Sequence, residues 1–211
     1  MGQESIDELA ARQRILEAAF SAFMERGYAA TSTLEIASRA RVSKRALYAL
    51  VGNKQEMLAA CIRERAKRLQ LPTDLPEPQD RERLAQVLTA FGTQLLREIS
   101  DPTVIAVFRL AIAEAVAAPE IAQTLDTVAY QTTRAALRGI MAHAKSSRLL
   151  AGHPDEMAEH FTGLLWDNLL LRLLLRIAEQ PSPREIARRA HDATAALLKL
   201  YPQPSEEANS E

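Results

Sequence analysis

A single cysteine, Cys61, rules out any disulfide within the chain and leaves no cysteine cluster to hold a metal. Seven glycines in 211 residues leave little room for a phosphate-cradling loop or a nucleophile elbow. Aromatics make up only 5% of the chain, and no run alternates Val, Ile or Thr long enough to form a strand. The first residues, MGQESIDELAARQR, carry no apolar segment of the kind a secretory signal needs. The longest apolar stretch, Phe161–Ile177, is interrupted by Asp167, Asn168, Arg172 and Arg176, which argues against a membrane span. These absences predict a cytoplasmic, reduced, all-α protein with no catalytic set, no metal, no cofactor and no membrane partner. Of the four histidines only His160 has a carboxylate, Glu156, at i, i+4, and no second pair supports a metal there.

Charge is what the chain distributes unevenly. Residues 1–70 hold 12 Lys and Arg against 8 Asp and Glu, whereas the remainder holds 14 against 19. A basic first third on an acidic body suits a nucleic-acid module joined to a different domain. The excess is concentrated further between Ile36 and Gln55, where Arg39, Arg41, Lys44, Arg45 and Lys54 occur with no acid at all.

Proline and small-residue clusters divide the chain into about nine helices. The first runs over about 6–26, with Ile15, Ala19, Phe20 and Phe23 as its apolar stripe and Gly27 at the stop position. Ser32 with Glu35 forms a capping box opening the second helix, and Ser43 caps the third. A fourth covers about 53–71, ended by Pro72 and the linker PTDLPEP. Five more cover about 79–99, 103–117, 120–145, 154–179 and 184–200, with the segment KSSRLLAGHP as a loop and residues 202–211 as a disordered tail. The expected domains are a helix-turn-helix module over 1–54, a connecting helix over 55–71, and a helical body over 79–201.

Within the first module Ile36, Ala37, Ala40, Val42, Leu47 and Val51 suffice for a small core, closed by helix 1 and by Met57, Leu58, Cys61 and Ile62 of helix 4. Ser43, Lys44, Arg45, Ala46 and Tyr48 are left outside. A short helix that presents basic residues in its first turn has the build of a helix that reads the major groove. Lys54 and the amino end of helix 4 are placed to flank a phosphate. Tyr48 has two readings, a core aromatic or a phosphate contact, because its ring packs while its hydroxyl reaches out.

The pieces ILEAAFSAFMERGYAATS, LEIASRARVSK, ALY and NKQEML together resemble the DNA-binding domain of the tetracycline-repressor (TetR) family of transcriptional regulators, over about Arg14 to Ile62. The resemblance implies a three-helix DNA-binding domain and, behind it, a variable helical domain that dimerises and binds a small effector. It implies that Ser32 and Thr33 cap the helix or contact phosphate, that Lys44, Arg45 and Ala46 face bases or backbone, and that Tyr48 and Lys54 contact phosphate. Two positions depart from the pattern. The turn residue usually held by glycine is Arg41, which calls for a left-handed backbone at a cost of about 1 kcal/mol, offset by an added phosphate contact. The usual Tyr-x-His-Phe is Tyr48-Ala49-Leu50-Val51, which lacks a polar contact at its third place.

In the body, FTGLLWDNLLLRLLLRI is too apolar for a surface helix. Paired with the helix carrying Ile186, Ala190, Ala193 and Leu197, it suits a four-helix interface between two copies. The segment FRLAIAEAVAAPEIAQTL and that long apolar helix also resemble the effector domain of one TetR-type subgroup. Phe91, Phe108, Ile112, Tyr130, Met141, Trp166 and Asp167 are the candidates for lining a pocket, each with ordinary core packing as the alternative. The expected partners are double-stranded DNA with a near-palindromic operator, a hydrophobic or aromatic effector, and a second copy of the chain. The competing expectation is a dimeric sensor or carrier whose DNA module is vestigial, made thinkable by Arg41, Leu50 and Val51.

Overall fold

The computed structural model describes residues 6–66 and 77–204. Among these there are eleven α-helices, one π-helical turn and no strand. No helix is long and apolar enough to cross a membrane. The end of the expected fourth helix beyond Ala66, most of the linker and residues 205–211 of the expected tail lie outside the described residues.

The first four helices are α1 (Ile6–Arg26), α2 (Thr33–Ala40), α3 (Lys44–Val51) and α4 (Lys54–Ala66). Their starts and stops follow local chemistry. Gly27, at φ 85°, ends α1 where a side chain would be strained. Ser32 Oγ accepts from Glu35 N–H at 3.1 Å, and Ser43 Oγ accepts from Ala46 N–H at 3.1 Å, so both short helices carry side-chain N-caps. Ile15, Ala19, Phe23, Ile36, Leu47, Met57 and Cys61 are all fully buried and make the shared core. Cys61 belongs to that core, with its thiol donating to the Leu16 carbonyl at 3.3 Å.

The remaining helices are α5 (Arg81–Ile99), α6 (Pro102–Ala113), α7 (Pro119–Leu125), α8 (Gln131–Ser146), α9 (Pro154–Trp166), α10 (Leu169–Leu174) and α11 (Pro183–Leu200). A π-helical turn, Asp126–Tyr130, joins α7 to α8. The chain packs as two units, and the boundaries differ from those expected at residues 54 and 79. Residues 106–130 pack with the N-terminal helices, and the division falls inside α6. Val107, Leu110, Ala111, Ala118 and Ile121 lie in the same core as Ile36 and Met57.

In the other unit α11 packs along α5 and α9, and α8 packs on α9. Gly92 permits the close approach: a β-carbon there would stand 2.8 Å from Leu165 Cδ2 and 3.3 Å from the Phe161 ring. Arg81 ties this unit together from one end, donating to the carbonyls of Leu149, Leu198 and Tyr201.

Three expected helices are interrupted. The sixth ends at Ala113, not near 117, and the seventh is broken by the π-helical turn. The eighth, expected over 154–179, breaks at Asp167 (φ 43°) into α9 and α10, and its last residues leave the helix before Arg176 (φ 58°). A residue in the left-handed region cannot continue a right-handed helix. The polar residues Asn168, Arg172, Arg176 and Glu179 therefore do not share one continuous helical face.

Candidate nucleic-acid interface

The helix-turn-helix is assembled by α2, α3 and the three residues between them. Arg41 adopts φ 55°, ψ 46°, the left-handed conformation its position calls for, and its N–H caps α2 on the carbonyls of Ala37 and Ser38. With the backbone so turned, α3 starts behind its N-cap Ser43 with the first-turn residues Lys44 and Arg45 in solvent. Leu47 points inward and is fully buried, which fixes the rotation of α3 and leaves Ser43, Lys44, Arg45 and Tyr48 on the outer side. Ala46 is half-buried.

Tyr48 is 43% exposed, which decides between its two readings against the core aromatic. Its hydroxyl lies 3.3 Å from Thr33 Oγ1, and Lys44 Nζ lies 5.9 Å from its ring centroid. The start of α2 and the outer side of α3 are thereby brought to one surface holding Ser32, Thr33, Lys44 and Tyr48. One hydroxyl of the pair donates to the other, which leaves one O–H to offer an anion, and Lys44 adds charge beside it.

The five basic residues of this stretch do not act alike. Arg39 is neutralised by acids from outside the run, with Glu35 Oε1 at 2.7 Å and Glu25 Oε2 at 2.8 Å. Arg26 also reaches Glu35, at 3.1 Å. The Ser21 hydroxyl and the Arg39 guanidinium hold the Glu25 carboxyl below its ordinary range. This cluster ties α1 to α2 and removes Arg39 from the cationic face. Arg41, Lys44 and Arg45 have no acidic partner among the described residues and carry that face.

Lys54 differs again. Its ammonium donates to the Ala29 carbonyl at 3.2 Å and stands 4.4 Å from the Tyr28 ring centroid. Burial lowers its pKa, and the Glu114 carboxylate opposes that shift. The amino end of α4 is capped by its own side chains: Asn53 Oδ1 accepts from Glu56 N–H at 3.0 Å, and Glu56 Oε2 accepts from Asn53 N–H at 2.7 Å. A carboxylate thus stands where the sequence suggested an open anion site. Nothing near Lys54 in the sequence marks Tyr28 or Glu114 as its neighbours; only the fold brings them together.

The seven candidate pocket residues are divided between the two units. Phe91 and Met141 are buried in the core beneath α5, α8 and α9, and Trp166 packs against that core. The Trp166 indole N–H is buried without a hydrogen-bond partner. Asp167 is exposed at the helix break and so escapes the cost of a carboxylate among leucines. Phe108, half-buried, and Ile112, 62% exposed, lie on the part of α6 that packs with the N-terminal unit, and Tyr130 is exposed at the end of the π-helical turn. An open groove of about 840 Å³ lies on α5 and α11, bordered by Gln86, Thr89, Thr93, Gln94, Arg97 and His191, and none of the seven lines it.

A capped helix pair with a left-handed turn and a cationic first turn on its second helix defines a helix-turn-helix DNA-binding regulator. Family comparison makes the assignment specific. Residues 15–61 match the model for bacterial regulatory proteins of the tetR family, and residues 86–203 match that for the C-terminal domain of AefR-like transcriptional repressors. The chain belongs to the TetR family of transcriptional regulators, whose members are DNA-binding regulators and not enzymes. Many solved structures share its fold, among them three TetR-type regulators. A TetR transcriptional regulator from Agrobacterium tumefaciens is 28% identical, with a TM-score of 0.73 over 91% of this chain and 95% of that one. The flavonoid-responsive regulator FrrA is 28% identical, with a TM-score of 0.78 over 92% and 97%. A TetR family regulator from Pseudomonas syringae is 24% identical, with a TM-score of 0.68 over 92% and 97%. No curated protein matches the chain at a significant level.

Proposed function

We propose that the protein is a homodimeric repressor that holds a near-palindromic operator and releases it when a hydrophobic or aromatic effector binds the C-terminal domain. The observation that carries the reading is the unpaired cationic first turn of α3, Lys44 and Arg45, beside the Thr33–Tyr48 hydroxyl pair. Side chains in that position reach base edges, while Arg41, Ser32, Thr33, Ser43, Ala46 and Tyr48 meet the backbone or complete the surface. Two such helices spaced about 34–36 Å apart read successive major grooves on one face of the duplex.

Three further observations support the rest of the reading. Leu164, Leu171, Leu175, Ile177 and Leu200 are large apolar side chains left in solvent by a single copy, a pattern suited to burial against a second. The matched C-terminal model is that of a repressor. The name of FrrA states that it responds to flavonoids, and a flat polyphenol suits an apolar interior in which the Trp166 indole N–H and the Ser100 hydroxyl are buried without a partner. The switch is two-state: an effector that prefers a head spacing unable to match successive grooves shifts the equilibrium by its differential affinity, a few kcal/mol being sufficient.

Selection of bound sequences from random DNA, with purified protein at moderate salt, tests the reading. Enrichment of a near-palindrome is expected, with binding that falls with salt at a log–log slope of about −7 to −9 and is reversed by flavonoids. Indifference to base order would remove the DNA-reading claim. Flavonoid binding without base preference would favour the alternative, a dimeric sensor or carrier with a vestigial DNA module.

A further inference from the structure

Lys54 is the basic residue of the interface that the fold does not hold out to solvent. Its ammonium is engaged by the Ala29 carbonyl and the face of Tyr28. The N–H of that same residue 29 donates to Glu114 Oε1 at 3.2 Å, so one peptide residue is gripped from two sides. The carboxylate also lies 3.5 Å from where a β-carbon of Gly27 would stand, against the turn that leaves α1. Glu114 directly follows the last residue of α6 and is tied to it, its own N–H donating to the Leu110 carbonyl at 3.0 Å.

A carboxylate that grips the same residue as an ammonium has two effects on a phosphate approaching that ammonium. It competes for the positive charge, and it repels the phosphate as a like charge. A tie that only built the head would be neutral or helpful to DNA binding; this one places an acid against it. The geometry points to Glu114 as a positioning residue that holds Lys54 and the α1–α2 turn away from the DNA backbone, in competition with phosphate. This rests on the DNA-binding reading above and deepens it.

The test is Glu114→Gln, which keeps the shape and an oxygen for the Ala29 N–H while removing the charge. On the operator selected by the wild-type protein, binding is expected to tighten about three- to tenfold, with the salt slope steeper by about one phosphate. In a Lys54→Met background the same change should tighten binding clearly less and leave the salt slope where it is. Weakened or unchanged binding, or equal tightening without Lys54, overturns the proposal. A DNA-independent measurement accompanies it: the Lys54 titration, followed by NMR of the reductively methylated protein, should move down in Glu114→Gln. An unmoved titration also overturns the proposal. If the wild-type protein selects no operator while the Lys54 titration does move, the DNA reading fails and the Glu114 contact stands.

Discussion

Arg41 occupies a backbone conformation that costs an L-residue about 1 kcal/mol, in a turn where glycine would be free of that cost. Arg41→Gly should therefore leave the fold as stable or raise its stability by up to about 1 kcal/mol in urea unfolding. The same variant should bind the operator more weakly, with a salt slope shallower by about one phosphate. If affinity and slope are unchanged, the Arg41 guanidinium does not contact DNA. Arg45→Ala should act differently, costing about 1–3 kcal/mol of binding and relaxing base preference in a repeated selection. At this scale, legibility in the sequence followed distance along the chain. The caps at Ser32 and Ser43 are i to i+3 contacts, so their residue types announce them. The surroundings of Lys54 depend on Tyr28 and Glu114, remote in the chain, and no local pattern encodes them.

Helices with strong punctuation were readable, and those broken by unusual backbone were not. α1, α5 and α11 lie close to their expected spans because Gly27, the Asp101-Pro102 pair and Pro183 mark their ends. The breaks at Asp167 and Arg176 carry no such mark, since both residues adopt positive φ without being glycine. The acid cluster on Arg39 shows the same limit: a stretch free of acid in sequence is met by Glu25 from α1 and Glu35 from the first turn of α2. That cluster has a pH signature. The Glu25 carboxyl is held below its ordinary value in the folded chain, first by Ser21 and then by Arg39. Its stabilisation is thus complete above the ordinary carboxyl range and disappears as pH falls through the lowered value. Glu25→Gln should narrow the loss of urea resistance between about pH 7 and about pH 3 relative to wild type. An identical loss in both proteins would show that the α1–α2 tie does not contribute. Because the group is exposed, the effect should be small.

For the whole molecule, the basic first third and acidic remainder seen in composition correspond to a DNA-facing head and a body that has no need of DNA. The body's exposed leucines make the proposed pairing testable. Leu171→Glu combined with Leu175→Glu, both sites being more than half exposed, should leave each copy helical and halve the mass in sedimentation. Operator affinity should fall with it, since one head reads only half of a palindrome. A doubly substituted protein that still sediments as a pair would place the interface elsewhere.

The inclusion of residues 106–130 in the N-terminal core bears on how such a regulator can be recombined. A graft cut after Ala66 would strip Met57 and its neighbours of Val107, Leu110 and Ile121, and the donated reader would arrive with an open seam. A chimaera that exchanges heads between relatives therefore has to transplant two separated stretches of chain to keep that core closed.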